Sequence, residues 1–160
     1  MPRQPRRRTA LIVPQVAVAA LTAVAALTAL TACSPAAGGP SDEERAALSA
    51  WGDGLIAAAG GGVGGEMSVD ASASEVGQDF PSPTAFTSVQ LRCKGTDRAQ
   101  FTLRYTGSWG TQVLTQELVC HDGGLLTPIA IPIDAQQLTR FAASATSPDG
   151  QGYWVAIPQR

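Results

Sequence analysis

The chain has 160 residues, 44% of them hydrophobic and 15% charged, with 13 acidic side chains, 11 basic ones and a single histidine. Four of the basic residues fall in the first eight positions, so beyond residue 32 seven basic side chains face all 13 acidic ones, a formal charge of −6. The length after residue 32 allows one modest domain and is too short for two well-packed ones. The acidity argues against nucleic acid or anionic headgroups as the main partner, because both need a basic footprint.

Arg3, Arg6, Arg7 and Arg8 precede a stretch of 24 residues, Thr9 to Ala32, without an ionisable side chain. A charged segment followed by an apolar one is the pattern of an export signal, and the arginines would keep the N-terminus in the cytoplasm. A permanent transmembrane helix is the alternative, since roughly 20 apolar residues span a bilayer. Three features favour the signal: the stretch is rich in alanine and threonine and contains Pro14, small residues precede Cys33, and the chain then turns into Ser34-Pro35-Ala36-Ala37-Gly38-Gly39-Pro40.

Leu30-Thr31-Ala32-Cys33 resembles the lipobox of bacterial lipoprotein signal peptides, and the alanine- and glycine-rich composition, with Lys94 as the only lysine, resembles small lipoproteins of actinobacteria. The resemblance implies that residues 1–32 are a signal peptide and that Cys33 takes a palmitate-type diacylglycerol thioether and becomes the first mature residue. The membrane would then be a partner through a lipid anchor on its extracytoplasmic face. Two acyl chains hold stably, at about 0.8 kcal/mol per buried methylene, where one holds only marginally. Arg7-Arg8 lacks the rest of a twin-arginine signal, so Sec export is expected. The resemblance covers residues 1–40; beyond residue 84 it is a similarity of strand pattern and cysteine placement that carries no functional residue.

Residues 33–41 read as a lipidated tether and 42–83 as a short helix with a glycine-rich linker. Ser41-Asp42-Glu43-Glu44 is a capping box that starts a helix, and Leu48, Trp51 and Leu55 fall at spacings of three and four, on one face. Gly52 and Gly54 are expected to interrupt it, and Gly60-Gly61-Gly62-Val63-Gly64-Gly65 to end it. That run lacks the Gly-Lys-Ser/Thr ending of a phosphate loop and reads as linker. Residues 67–83 could add a strand or stay irregular. Trp51 would cover the edge of the following domain, with a partner anchor as the alternative.

From residue 84 to 160 the period is two. Val89, Leu91 and Cys93 alternate with Gln90, Arg92 and Lys94; Ala99, Phe101, Leu103 and Tyr105 with Gln100, Thr102 and Arg104; then come Leu114, Leu118 and Cys120 in a third strand. His121-Asp122-Gly123-Gly124 signals a hairpin into a fourth strand, Leu125 to Ile133, whose Pro128 and Pro132 place it at an edge. A fifth strand is expected over 139–146 and a sixth over 152–158, after the turn Ser147-Pro148-Asp149-Gly150. The expected fold is mainly β: a small antiparallel sandwich or barrel of about six to seven strands, preceded by a short helix and the N-terminal signal helix.

With Cys33 lipidated, Cys93 and Cys120 remain as an even pair in an exported chain, which reads as a disulfide. Strands running alternately up and down would bring both to one end of the domain. His121 reads as an exposed turn residue, because no nucleophile signature accompanies it. Cys93, Cys120, His121 and Asp122 lack the ligand spacing of a zinc site, and no calcium loop is present in the sequence. No catalytic, cofactor or metal residue is therefore assigned. Trp109, in a loop, and Trp154, opposite the inward parity of its strand, form a possible binding surface; the alternative for Trp154 is packing under the helix or the 67–83 segment. The expected function is a non-catalytic binding or accessory domain for an envelope protein or cell-wall ligand. An envelope hydrolase using carboxylates and the solute-binding component of a transporter are the alternatives.

Overall fold

The computed structural model describes residues 39–120, 128–132 and 137–160. Cys33, His121 and Asp122, and four of the nine residues of the expected fourth strand, lie outside the described residues. The described part holds one α-helix, α1 (Asp42–Ala59), a 3₁₀ turn (Ala71–Ser74) and eight strands: β1 (Val63–Glu66), β2 (Val76–Ala85), β3 (Ser88–Lys94), β4 (Arg98–Gly107), β5 (Gly110–Val119), β6 (Ile129–Ala130), β7 (Gln137–Thr146) and β8 (Tyr153–Gln159). They form two antiparallel four-stranded sheets, ordered β1-β8-β3-β6 and β2-β7-β4-β5. Among the described residues no helix is long and apolar enough to cross a membrane.

The strongest alternations build the core. Ala99, Phe101, Leu103 and Tyr105 of β4 point inward beside Phe141, Ala143 and Ala145 of β7, and meet Val89, Leu91 and Cys93 of β3 with Trp154 and Ala156 of β8. Phe101 meets the Trp154 ring edge-on at 6.2 Å and Tyr105 lies 5.9 Å from the Phe141 ring, geometries that add to simple area burial. Full burial of a side chain of this size contributes roughly 1.5–3 kcal/mol.

Trp154 is fully buried, which removes it from any binding surface. Its strand is apolar from Trp154 to Pro158, and both its faces are covered. Trp154 and Ala156 face the core, while Tyr153, Val155 and Ile157 face α1. Leu48, Trp51, Leu55 and Ile56, one stripe of α1, pack on that outer face, so Trp51 covers a sheet and is not a free anchor.

α1 begins as the sequence suggests. The Ser41 hydroxyl accepts from the Glu44 amide at 3.2 Å and the Glu44 carboxylate from the Ser41 amide at 2.7 Å. That backbone bond from Ser41, and then its side chain, hold the Glu44 carboxyl below the usual range. The helix does not break at Gly52 and Gly54; it runs 18 residues to Ala59 and closes on Gly60 at φ 72°. Gly52 is where the helix comes nearest the sheet: a Cβ there would lie 2.3 Å from Tyr153 Cε1. A propensity cost of about 1 kcal/mol is thereby offset by contact.

The glycine run expected to be linker is partly strand. Val63–Glu66 pairs along β8, and a Cβ at Gly64 would lie 2.8 Å from the Trp154 carbonyl oxygen, so a bare backbone suits the place where the edge strand passes between β8 and α1. The sandwich accordingly begins at residue 63 and not at 84. β2 adds residues 76–85 to the second sheet, with a register shift between Asp79 and Thr84 around Pro81 and Pro83.

Candidate functional site

The cysteine pair is joined. Cys93 is the penultimate residue of β3 in the first sheet and Cys120 follows β5 in the second, and their sulfurs are bonded with Cα atoms 5.2 Å apart. β3 runs toward that end, β4 away and β5 back, so alternation of direction delivers both cysteines together and the bridge staples sheet to sheet. The Cys120 amide donates to the Asp97 carbonyl at 2.8 Å, fixing the β3–β4 turn to the same corner.

This end of the sandwich carries two open concavities beside α1. One, of about 350 Å³, is bounded by Pro40, Arg45, Leu48, Glu66, Gln151 and Tyr153. A second, of about 460 Å³, shares Pro40, Leu48 and Gln151 and adds Glu44, Lys94 and Gly95. Both are open hollows beside the N-terminus of α1, where the Pro-Gly-Ala segment joins the domain. Arg45, Glu66 and Lys94 give them mixed charge. Their size and openness suit a surface contact better than enclosure of a small molecule.

Trp109 sits at the opposite end, in the two-residue β4–β5 turn between Gly107 and Gly110. It is half-buried and packs on the core, and its indole folds so tightly over Gly107 that a Cβ there would lie 2.6 Å from Nε1. Nε1 of Trp109 and the hydroxyl of Tyr105 are buried without a hydrogen-bond partner. Each such group costs about 1–3 kcal/mol in desolvation. Burial also pushes the Tyr105 phenol up to about 12. Phe80 and Phe86, 5.0 Å apart, extend the aromatic rim at this end, and the Arg160 guanidinium lies 5.8 Å from the Phe86 ring centroid.

The outer face of the second sheet is laced by ion pairs. Arg98 bonds Glu117 at 2.8 Å, Arg104 bonds Glu75 at 2.8 Å, and Arg140 holds both oxygens of Asp79 at 2.8 and 2.9 Å. The Asp79 hydrogen bond and charge, with the nearby Glu75 charge, raise the Arg140 guanidinium. These exposed pairs are screened by water and add little to stability. Three or more His, Cys, Asp or Glu side chains do not converge on a metal-sized site among the described residues.

The hollows at the α1 end and the orphaned donors beneath Trp109 had no signal in the sequence. The hollows are built from residues 40, 45, 66 and 151, which only the fold brings together, and burial of a hydroxyl follows from packing and not from residue type. No family model, curated protein or solved structure matches this chain.

Proposed function

We propose that this chain is a bacterial lipoprotein, exported through Sec, cleaved before Cys33 and held by a diacylglyceryl thioether on the extracytoplasmic face of the cell membrane. Its sandwich acts by binding an envelope protein or a cell-wall ligand, with Trp109 and the hollows beside α1 as contact regions, and performs no chemistry of its own. The observation that carries this reading is the sequence Leu30-Thr31-Ala32-Cys33 behind the arginine cluster and its apolar stretch. The sheet-to-sheet disulfide supports it, because such bridges persist in oxidising compartments outside the cytoplasm.

The test is the mass of the mature N-terminus from membranes of cells fed an alkyne-labelled fatty acid. The expected product starts at Cys33 and carries two or three acyl chains, and Cys33→Ala yields an unlabelled chain released from lipoprotein processing. A membrane-bound chain that starts at Met1 with a free thiol at position 33 would refute the proposal and favour the transmembrane alternative.

A further inference from the structure

Four strands form the sheet edges, and three are blunted against further pairing. β1 has four residues, two of them glycine; β2 carries Pro81 and Pro83 and a register shift; β6 has two residues between Pro128 and Pro132. Short strands, prolines and bulges are how edges are protected. β5 has none of these. It is ten residues long, pairs with β4 through ten unbroken register positions, and contains no proline, no lysine and one charge, Glu117, which Arg98 neutralises. Among the described residues β4 is its only strand neighbour.

The two-residue turn fixes which backbone groups point outward. Its closing pair Gly107–Gly110 is hydrogen-bonded, so Tyr105–Gln112, Leu103–Leu114, Phe101–Gln116 and Ala99–Leu118 are as well. The amides and carbonyls of Thr111, Val113, Thr115, Glu117 and Val119 therefore face the open side. On the outer face Val113 and Val119 are 53% and 44% exposed.

We infer that β5 pairs antiparallel with β5 of a second copy about a twofold axis at Gln116, joining two four-stranded sheets into one of eight strands. The register follows from chemistry. Antiparallel self-pairing that keeps each face in place admits only even residue sums. Centring on Glu117 would oppose like charges, which is unfavourable, and centring on Thr115 would set Glu117 against Val113. Centring on Gln116 opposes Val113 to Val119 and Leu114 to Leu118, apolar to apolar on both faces, and Glu117 to Thr115. The outward-facing residues then form the hydrogen-bonded pairs, as the turn requires. The twofold stands perpendicular to the sheet, so both α1 helices lie on one side, a geometry that lets two anchored copies share one membrane. An edge contact of this length falls below the roughly 1,200 Å² of a stable interface, so the dimer is weak and exchanging in dilute solution.

The experiment uses the full chain in detergent. Gln116→Cys sits opposite its own copy at a non-hydrogen-bonded pair and is expected to form a reducible covalent dimer on mild oxidation, whereas Thr115→Cys and Leu114→Cys do not. Sedimentation is expected to show self-association weakened at least tenfold in Val113→Lys/Val119→Lys and regained in Val113→Lys/Val119→Glu, where each lysine meets a glutamate. The recovery separates a broken interface from a damaged fold. Absence of the Gln116→Cys dimer, equal crosslinking at all three positions, or equal association of the two charged pairs would overturn the inference.

Discussion

Gly52 and Gly54 lie two residues apart in α1, and alanine at each is expected to shift stability in opposite directions. By helix propensity alone both changes stabilise by about 1 kcal/mol. Nothing lies within 4 Å of a Cβ at Gly54, so Gly54→Ala keeps that gain. At Gly52 the new methyl would lie 2.3 Å from Tyr153 Cε1 and 2.7 Å from Cδ1, over an ångström inside ordinary contact. Tyr153 borders buried Val155 and Ile157, so the ring has little room to turn and the helix must lift from them. Overpacking of this kind costs typically 1–3 kcal/mol, and lifting α1 exposes part of its apolar stripe besides. The net for Gly52→Ala is a loss of about 1–2 kcal/mol. Urea denaturation followed by circular dichroism at 222 nm measures both, and shifts of the same sign would refute the claim that contact with Tyr153 is why residue 52 is glycine.

Reducing the disulfide restores denatured-state freedom across the 26 residues between Cys93 and Cys120, a loss of about 3.5 kcal/mol at 25 °C. Thermal melts with and without reductant should differ by roughly 10–15 °C for a domain of this size, and Cys93→Ala/Cys120→Ala should melt no higher than the reduced protein. The chain has two tyrosines, Tyr105 and Tyr153, and burial raises both phenols, Tyr105 to about 12. An unfolded phenol ionises near pH 10 while the folded one stays neutral, so stability is intact below pH 10 and falls as pH rises from 10 toward 12, by about 2 kcal/mol for Tyr105. Absorbance at 295 nm should show tyrosine titrating together with unfolding in that window. Tyr105→Phe removes the orphaned hydroxyl, and is expected to be at least as stable at neutral pH and less sensitive to alkali.

Much of the sandwich was legible because β3, β4 and β5 each have one wet face, and period two marks such strands. β8 was harder. Its two apolar parities could not say which faced the core, so Trp154 read as outward when the outward set is Tyr153, Val155 and Ile157 under α1. Glycine misled twice, and for one reason: at residues 52 and 64 it marks close approach of another element, a tertiary fact that local propensity overrules when read alone. Pro128 and Pro132 did place β6 at an edge, since a missing amide is a local property that survives any packing. The hollows at the α1 end were illegible because their walls come from distant stretches of chain.

The attachment of α1 has a mechanical consequence. A pull applied ahead of Pro40 meets the helix first, and the helix is held by one stripe of half-buried side chains, whereas the sheets behind it are interlocked and cross-stapled. Under load α1 peels before the strands shear. Its 18 residues then pass from a rod of about 27 Å to a filament of roughly 60 Å. With the proposed anchor at Cys33, the helix would serve as an extensible leash, lengthening the radius the body can search while the sandwich stays whole.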